Sequence, residues 1–358
     1  MRTLGYWAGA AICLMATWCP SSAFGEKSEW VIYGPGARLS PHDRYLAFFA
    51  GPRPSVPKGR EIPPPQYSRM YILDFDANDV ICWKHFTPYF YALAWKPTGP
   101  ASVSVVEDLF DPRGVFRTRL LQLPPAKNPV ATLSQEYDAD TDSIYSIAAM
   151  DWSPDGAVLA AGGLCSYLHL SCDGGSSFVN TGKSYGALRL QWGDSYTLLA
   201  ERARDDNATE VVSIRVKNRA IQSVRTLSGG TAARLCDTLE GRAVWRTRHA
   251  VYIGETKFLD SEHCVRSVRA DGEYVVVNLW PAHGDGQIVV CDRQRKVVSQ
   301  WAVRRTVTLM DISSSRGCVY VGERSPCQVR GHDFRQGGNV SATWLVPRAD
   351  SPEWTEQG

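Results

Sequence analysis

Apolar and polar positions along this chain alternate in short runs, and polar turn residues break the runs at close intervals. The clearest case is MDWSPDGAVLAAGG, residues 150–163. An apolar and aromatic run ends at Trp152, Ser153-Pro154-Asp155-Gly156 reverses the chain, and a small apolar run follows from Val158 to Gly162. Strand, turn and strand in that order predict a β-hairpin. The pattern recurs at 37–51, 92–106, 189–201, 234–247, 268–280 and 310–323. Each copy is followed by a second apolar–turn–apolar segment, at 70–83, 118–133, 167–180, 211–224, 250–259, 287–301 and 328–344. No segment carries a sustained helical period, so almost no helix is expected.

Two hairpins per repeat make four antiparallel strands, and most repeats start roughly 40 residues apart, the period of a propeller blade. The prediction is an all-β chain folded as a seven-bladed β-propeller of four-stranded antiparallel blades. A single four-stranded sheet cannot bury both faces. Blades packed around an axis can, and closing the ring leaves only short outer edges. SEWVIYGPG (28–36) precedes the first copy and reads as one extra strand, expected to pair with the last blade and latch the ring.

The Ser-Pro-Asp-Gly turn and its repeats resemble the WD-repeat-like and Tol-system-like propellers of exported bacterial proteins, over nearly all of 28–347. A second resemblance is local. SCDGGSSF, Ser171 to Phe178, is similar to the Asp-box of sialidase-like propellers. That resemblance implies a structural turn in which Asp173 accepts backbone N–H bonds, Gly175 supplies positive φ and Phe178 anchors the loop. It does not imply sialidase activity, because no matching arginine cluster or Tyr–Glu pair accompanies it.

Composition agrees with this architecture. Twelve Trp and fifteen Tyr favour strands, while 30 Gly and 21 Pro supply turns. Lys plus Arg is 39 and Asp plus Glu is 37, for a net charge of +2, which offers no basic field for nucleic acid. Arg2, the uncharged apolar run Leu4 to Trp18 and the small-residue exit Ala23-x-Gly25 predict a signal peptide over 1–25. The propeller is then expected over 26–348, with a flexible tail at 349–358. No further apolar stretch predicts a membrane span. The expected localisation is therefore periplasmic or secreted. Eight cysteines follow the signal segment, and an exported chain with that number is expected to form at least one disulfide. Cys236 with Cys264 is one candidate. Cys165 and Cys172 are separated by a predicted extended strand and lie beyond disulfide reach.

Several groups could carry chemistry or binding. Trp95, Trp152 and Trp192 occupy one place in three successive copies, suited either to packing between blades or to stacking a ligand. The Pro-rich insertion 51–66 and the insertion 107–116, with Phe110 and Phe116, could form a binding rim. Asp138, Asp140 and Asp142 alternate as oxygen ligands for Ca²⁺ would, although the glycine and acidic closer of a calcium loop are missing. His283 with Asp285 and His332 with Asp333 could each pair a base with a carboxylate. No nucleophile elbow, zinc-protease motif or phosphate loop is present. The expectation is an exported binding scaffold for another protein or an envelope component, with no cofactor other than a possible Ca²⁺. The alternative is an exported hydrolase or lyase, potentially carbohydrate-active, with its site in the central channel. A binding module predicts a channel that is apolar or scattered in polarity. An enzyme predicts at least three convergent acidic, basic or cationic groups at one mouth of the channel, and such a cluster would count against the scaffold.

Overall fold

The computed structural model describes residues 30–52, 69–83, 92–110, 116–138, 147–163, 167–171, 179–184, 187–203, 208–228, 233–324 and 326–347. They form seven four-stranded antiparallel sheets, each built from four strands consecutive in sequence. The blades span 30–82, 93–138, 147–184, 187–226, 234–260, 264–303 and 308–345. The first strand of each blade is innermost. These strands are Trp30–Leu39, Leu93–Trp95, Ile147–Trp152, Ala187–Asp194, Arg234–Leu239, Cys264–Asp271 and Thr308–Ser313, and neighbours touch around the axis. Among the described residues the sole helical turn is a 3₁₀ turn over Phe334–Gln336, capped by Asp333.

Seven apolar clusters hold the ring, one for each seam between neighbouring blades. The sheets alternate sides, so each buries one face in the seam before it and one in the seam after. The turn at Ser153 shows the local cause. Ser153 Oγ accepts the Val158 N–H at 2.9 Å, Asp155 Oδ1 accepts the Ala157 N–H at 3.0 Å, and Gly156 takes φ +69°. A Cβ on Gly156 would lie 2.1 Å from Thr98 Oγ1 in the corresponding turn of blade 2. The first turns of adjacent blades thus pack on one another at one end of the channel.

Ring closure corrects the expected latch. Residues 30–33 do not pair with the last blade. They continue the innermost strand of blade 1, with Trp30 opposite Pro52 and Tyr33 opposite Phe49. Blade 7 completes itself with its own outer strand, Asn339–Leu345. A register shift between Tyr33 and Arg38 lets one long strand serve both 30–33 and the first hairpin, which removes the need for a separate latch. The seam between blades 1 and 7 closes by side chains instead. Phe75 stacks on Tyr320 at 4.8 Å and meets Trp344 edge-on at 5.4 Å. Trp344 Nε1 donates to Asn78 Oδ1 at 2.7 Å, and Tyr71 Oη donates to the Pro347 carbonyl at 2.9 Å.

The 107–116 insertion also differs from a loop. Residues 107–110 extend the second strand of blade 2, with Glu107 opposite Arg119 and Phe110 opposite Phe116. The disulfide expectation finds no bridge among the described residues. Cys82, Cys236, Cys264, Cys291 and Cys318 are free thiols, so Cys236 and Cys264 are not joined. Cys165 and Cys172 lie outside the described residues.

Candidate functional site

One position recurs in every innermost strand, two residues before the residue that opens the first turn. Blade by blade it holds Arg38, Ala94, Asp151, Gln191, Asp237, Arg269 and Asp311. The fold brings these side chains, scattered over the whole sequence, to one level of the channel. The channel is therefore charged, and the expectation of an apolar or scattered lining for a binding module is corrected.

The three carboxylates share one geometry. Asp151 Oδ2 accepts the Trp192 N–H at 2.8 Å, Asp237 Oδ2 accepts the Ala270 N–H at 3.0 Å, and Asp311 Oδ2 accepts the Leu39 N–H at 2.7 Å. In each case the donor lies one residue past the equivalent position of the next blade. Each carboxylate thus ties its blade to the following one, and Asp311 ties the last blade to the first. Inner-edge N–H groups have no further strand to pair with, so a side-chain acceptor satisfies them. Asp237 Oδ1 also accepts Gln191 Nε2 at 3.0 Å and faces Arg38 Nη1 across the channel at 3.8 Å. Arg269 Nε donates to the Met310 carbonyl at 2.8 Å and Nη1 to the Cys236 carbonyl at 3.2 Å, bracing blades 5 and 7 from blade 6.

The electrostatics follow from burial. Desolvation pushes Asp151 up to about 7, against the Trp192 N–H and Arg38, which pull it down. Desolvation likewise pushes Asp311 up to about 6, opposed by Arg269 and Arg38. Burial and the nearby Arg38 charge lower Arg269 to about 10. Burial works against Arg38 too, but Asp237, Asp311 and Asp151 outweigh it and hold its guanidinium above the ordinary value. Two cations against three acids, two of them titrating near neutral pH, can take up or release a proton without leaving the ring highly charged.

The three tryptophans lie in the same layer and are buried between blades. Trp95 Nε1 donates to the Arg38 carbonyl at 2.9 Å, Trp152 Nε1 to Ser104 Oγ at 3.0 Å, and Trp192 Nε1 to the Asp151 carbonyl at 3.1 Å. Each indole reaches back to the preceding blade. A sugar could stack on these rings only by prising neighbouring blades away from each other. Phe110 and Phe116 are cross-strand partners at the last described positions of the second hairpin pairing in blade 2 and are not members of the charged ring. Ser171 is buried at the end of a strand, while Asp173, Gly175 and Phe178 lie outside the described residues. Asp138 ends the outer strand of blade 2, and Asp140 and Asp142 lie outside the described residues. The Pro-rich insertion falls outside them from residue 53 onward.

The histidine pairs separate. His283 and Asp285 are exposed in a turn. His332 is buried, stacks on Trp301 at 5.2 Å and places Nδ1 2.8 Å from the Gly338 carbonyl. Burial lowers its pKa. Asp333 points elsewhere and caps the 3₁₀ turn through the Arg335 and Gln336 N–H groups. Adjacent strand residues face opposite sides, which keeps these two apart.

The charged ring escapes a motif search because its members are not neighbours in sequence. The signal that could reveal it is alignment of the seven hairpins on their turns, which puts Arg, Ala, Asp, Gln, Asp, Arg and Asp in one column. Neither a family model nor a curated protein matches the sequence. Solved structures do resemble it in fold. The C-terminal WD40 domain of Sif2 superposes with a TM-score of 0.52 at 12% identity, covering 90% of this chain and 88% of that one. The β-propeller domain of Myceliophteria thermophila Cps50 (Swd1) gives 0.55 at 12% identity, covering 90% and 98%. The β-propeller domain of the Trilobed protease from Pyrococcus furiosus, described as having an open velcro topology, gives 0.55 at 9% identity, covering 90% and 100%. Identities this low speak to fold alone, and the fold is that of a WD-repeat-like propeller.

Proposed function

We propose that this WD-repeat-like propeller is an exported binding scaffold that engages another protein or an envelope component through a rim of the ring. One observation carries the reading. The convergent acids of the channel, where chemistry would be sought first, each spend an oxygen on the backbone of the next blade. Charge at that level therefore serves the ring, and recognition falls to the rims. Export is supported by Arg2, the apolar run from Leu4 to Trp18 and the small-residue exit. Among the described residues no helix is long and apolar enough to cross a membrane.

A specific observation also favours a second reading, an exported hydrolase or lyase working in the channel on carbohydrate. Five charged side chains meet at one level, and Asp151, raised to about 7, has a proton to give near neutral pH. One paired experiment separates the readings. The protein lacking residues 1–25 is used to capture partners from an envelope extract and is probed in parallel on a glycan array. A partner that rebinds in purified form supports the scaffold. A glycan ligand that is turned over, with turnover abolished in Asp151→Asn, overturns it.

A further inference from the structure

The end of the channel opposite the first turns carries a second charged group, set between blades 4 and 5. Arg189 and Glu201 are cross-strand partners in blade 4. Arg234 and Arg246 are cross-strand partners in blade 5. Glu201 is buried, at 1% exposure, and serves as the hub. Its Oε1 takes Arg234 Nη1 at 2.5 Å, its Oε2 lies 3.8 Å from Arg189 Nε, and Oε2 also accepts the Leu235 N–H at 2.9 Å. Arg189 spends Nη1 on the Leu235 carbonyl at 2.8 Å.

Arg246 stands apart. Its guanidinium makes a long hydrogen bond, 3.4 Å, from Nη1 to the Thr247 carbonyl, and it forms no ion pair among the described residues. It sits directly opposite Arg234, an arrangement in which like charges destabilise the pair. Its pKa is lowered, first by burial and also by the charges of Arg189 and Arg234. Among the described residues, then, Arg189 and Arg234 share one carboxylate, Glu201, and Arg246 is paired with none. Arg189 and Arg234 remain 36% and 43% exposed, so the group is open to solvent. A half-buried guanidinium with a like charge opposite it and no acid paired to it has N–H donors to offer an anion.

We propose that Arg234 and Arg246, with Arg189 beside them, form an oxyanion-binding site at this mouth of the channel. The ligand group is a carboxylate or a phosphate, which a planar guanidinium fork can grip through two parallel N–H bonds. Such a group comes either from an acidic side chain of a partner protein or from free phosphate. The site deepens the scaffold reading by naming the charge of the surface it recognises, yet it stands on its own geometry.

The test is titration calorimetry and thermal melting of the full chain at constant ionic strength. Inorganic phosphate, acetate and an acetylated tetraglutamate peptide are compared with chloride. Wild type is expected to bind phosphate or the peptide and to melt higher with it. Arg246→Gln is expected to weaken that binding about tenfold or more, the loss of one charge-assisted bidentate contact. Without anion, Arg246→Gln is expected to melt at or above wild type, because a like-charge contact is relieved. Binding by phosphate marks a free anion as the source, and binding by the peptide alone marks an acidic partner. Two results overturn the proposal: no anion outcompetes chloride on wild type, or Arg246→Gln binds as tightly as wild type. Failure to capture a partner from extract would sink the scaffold and leave this titration untouched.

Discussion

Truncating Asp311 tests whether the channel acids close the ring. Asp311 Oδ2 accepts the Leu39 N–H at 2.7 Å, the bond that ties blade 7 to blade 1, and Oδ1 accepts the Ile312 N–H at 3.0 Å. Arg269 and Arg38 both feel its charge. Asp311→Ala strands the Leu39 N–H, at about 1–3 kcal/mol, and removes a buried counter-charge. Together these fall in the range of about 3–5 kcal/mol found when one partner of a buried pair is deleted. For a domain of this size that is a fall in Tm of about 4–8 °C. Asp311→Asn keeps an oxygen for Leu39 and loses only the charge; because a carboxyl pushed up to about 6 loses stability on ionising in the fold, Asn is expected to melt at or above wild type at pH 7.5. The wild-type group is largely neutral at pH 5, so its difference from Asn should vanish there. Differential scanning calorimetry at both pH values reads all three numbers. The reasoning fails if Asp311→Ala melts within about 2 °C of wild type. It also fails if Asn damages the fold as much as Ala.

The same raised acids set a pH dependence. A carboxyl whose folded pKa exceeds its unfolded value binds more protons in the folded state, so its contribution is full at low pH and lost as pH rises through the folded pKa. With Asp311 at about 6 and Asp151 at about 7, Tm should fall between pH 5 and 8, and Asp151→Asn combined with Asp311→Asn should flatten the slope. An unchanged slope in the double variant would refute the assignment. Gly156→Ala places a Cβ 2.1 Å from Thr98 Oγ1 at φ +69°, so a loss of about 2–3 kcal/mol is expected, partly regained when Thr98→Ala is added. No rescue would mean that the backbone strain alone matters. Trp344→Ala removes the contact to Phe75 and the bond to Asn78, and about 2 kcal/mol is expected from a partly exposed indole. Limited proteolysis should then cut first at the seam of blades 1 and 7, and cutting elsewhere first would argue against side-chain closure.

The blades were legible in the sequence because their causes are local. Alternation, turn chemistry and the repeat fix four strands per blade, and the Ser153–Gly156 turn contains within itself the bonds that make it. The column holding Trp95, Trp152 and Trp192 was legible too, and its indoles occupy equivalent places. Closure was not. Residues 30–33 look like a free strand, and only the register shift before Arg38 shows that they belong to blade 1. The charged ring was hidden for a related reason. Asp151, Asp237 and Asp311 look like unrelated acids in separate hairpins, and their partners are backbone groups of the next blade, which a side-chain motif cannot encode. Arg246 is the limiting case. Its meaning rests on Arg234 opposite it in the same blade and on Glu201 and Arg189 in the neighbouring blade. Sequence by itself determined the strands, the turns and their sevenfold repetition, because these depend on residues within a few positions of one another. Tertiary structure alone decided which charges meet, how the ring shuts and where an anion would sit, because those depend on distances across the channel and across seams that no local pattern records.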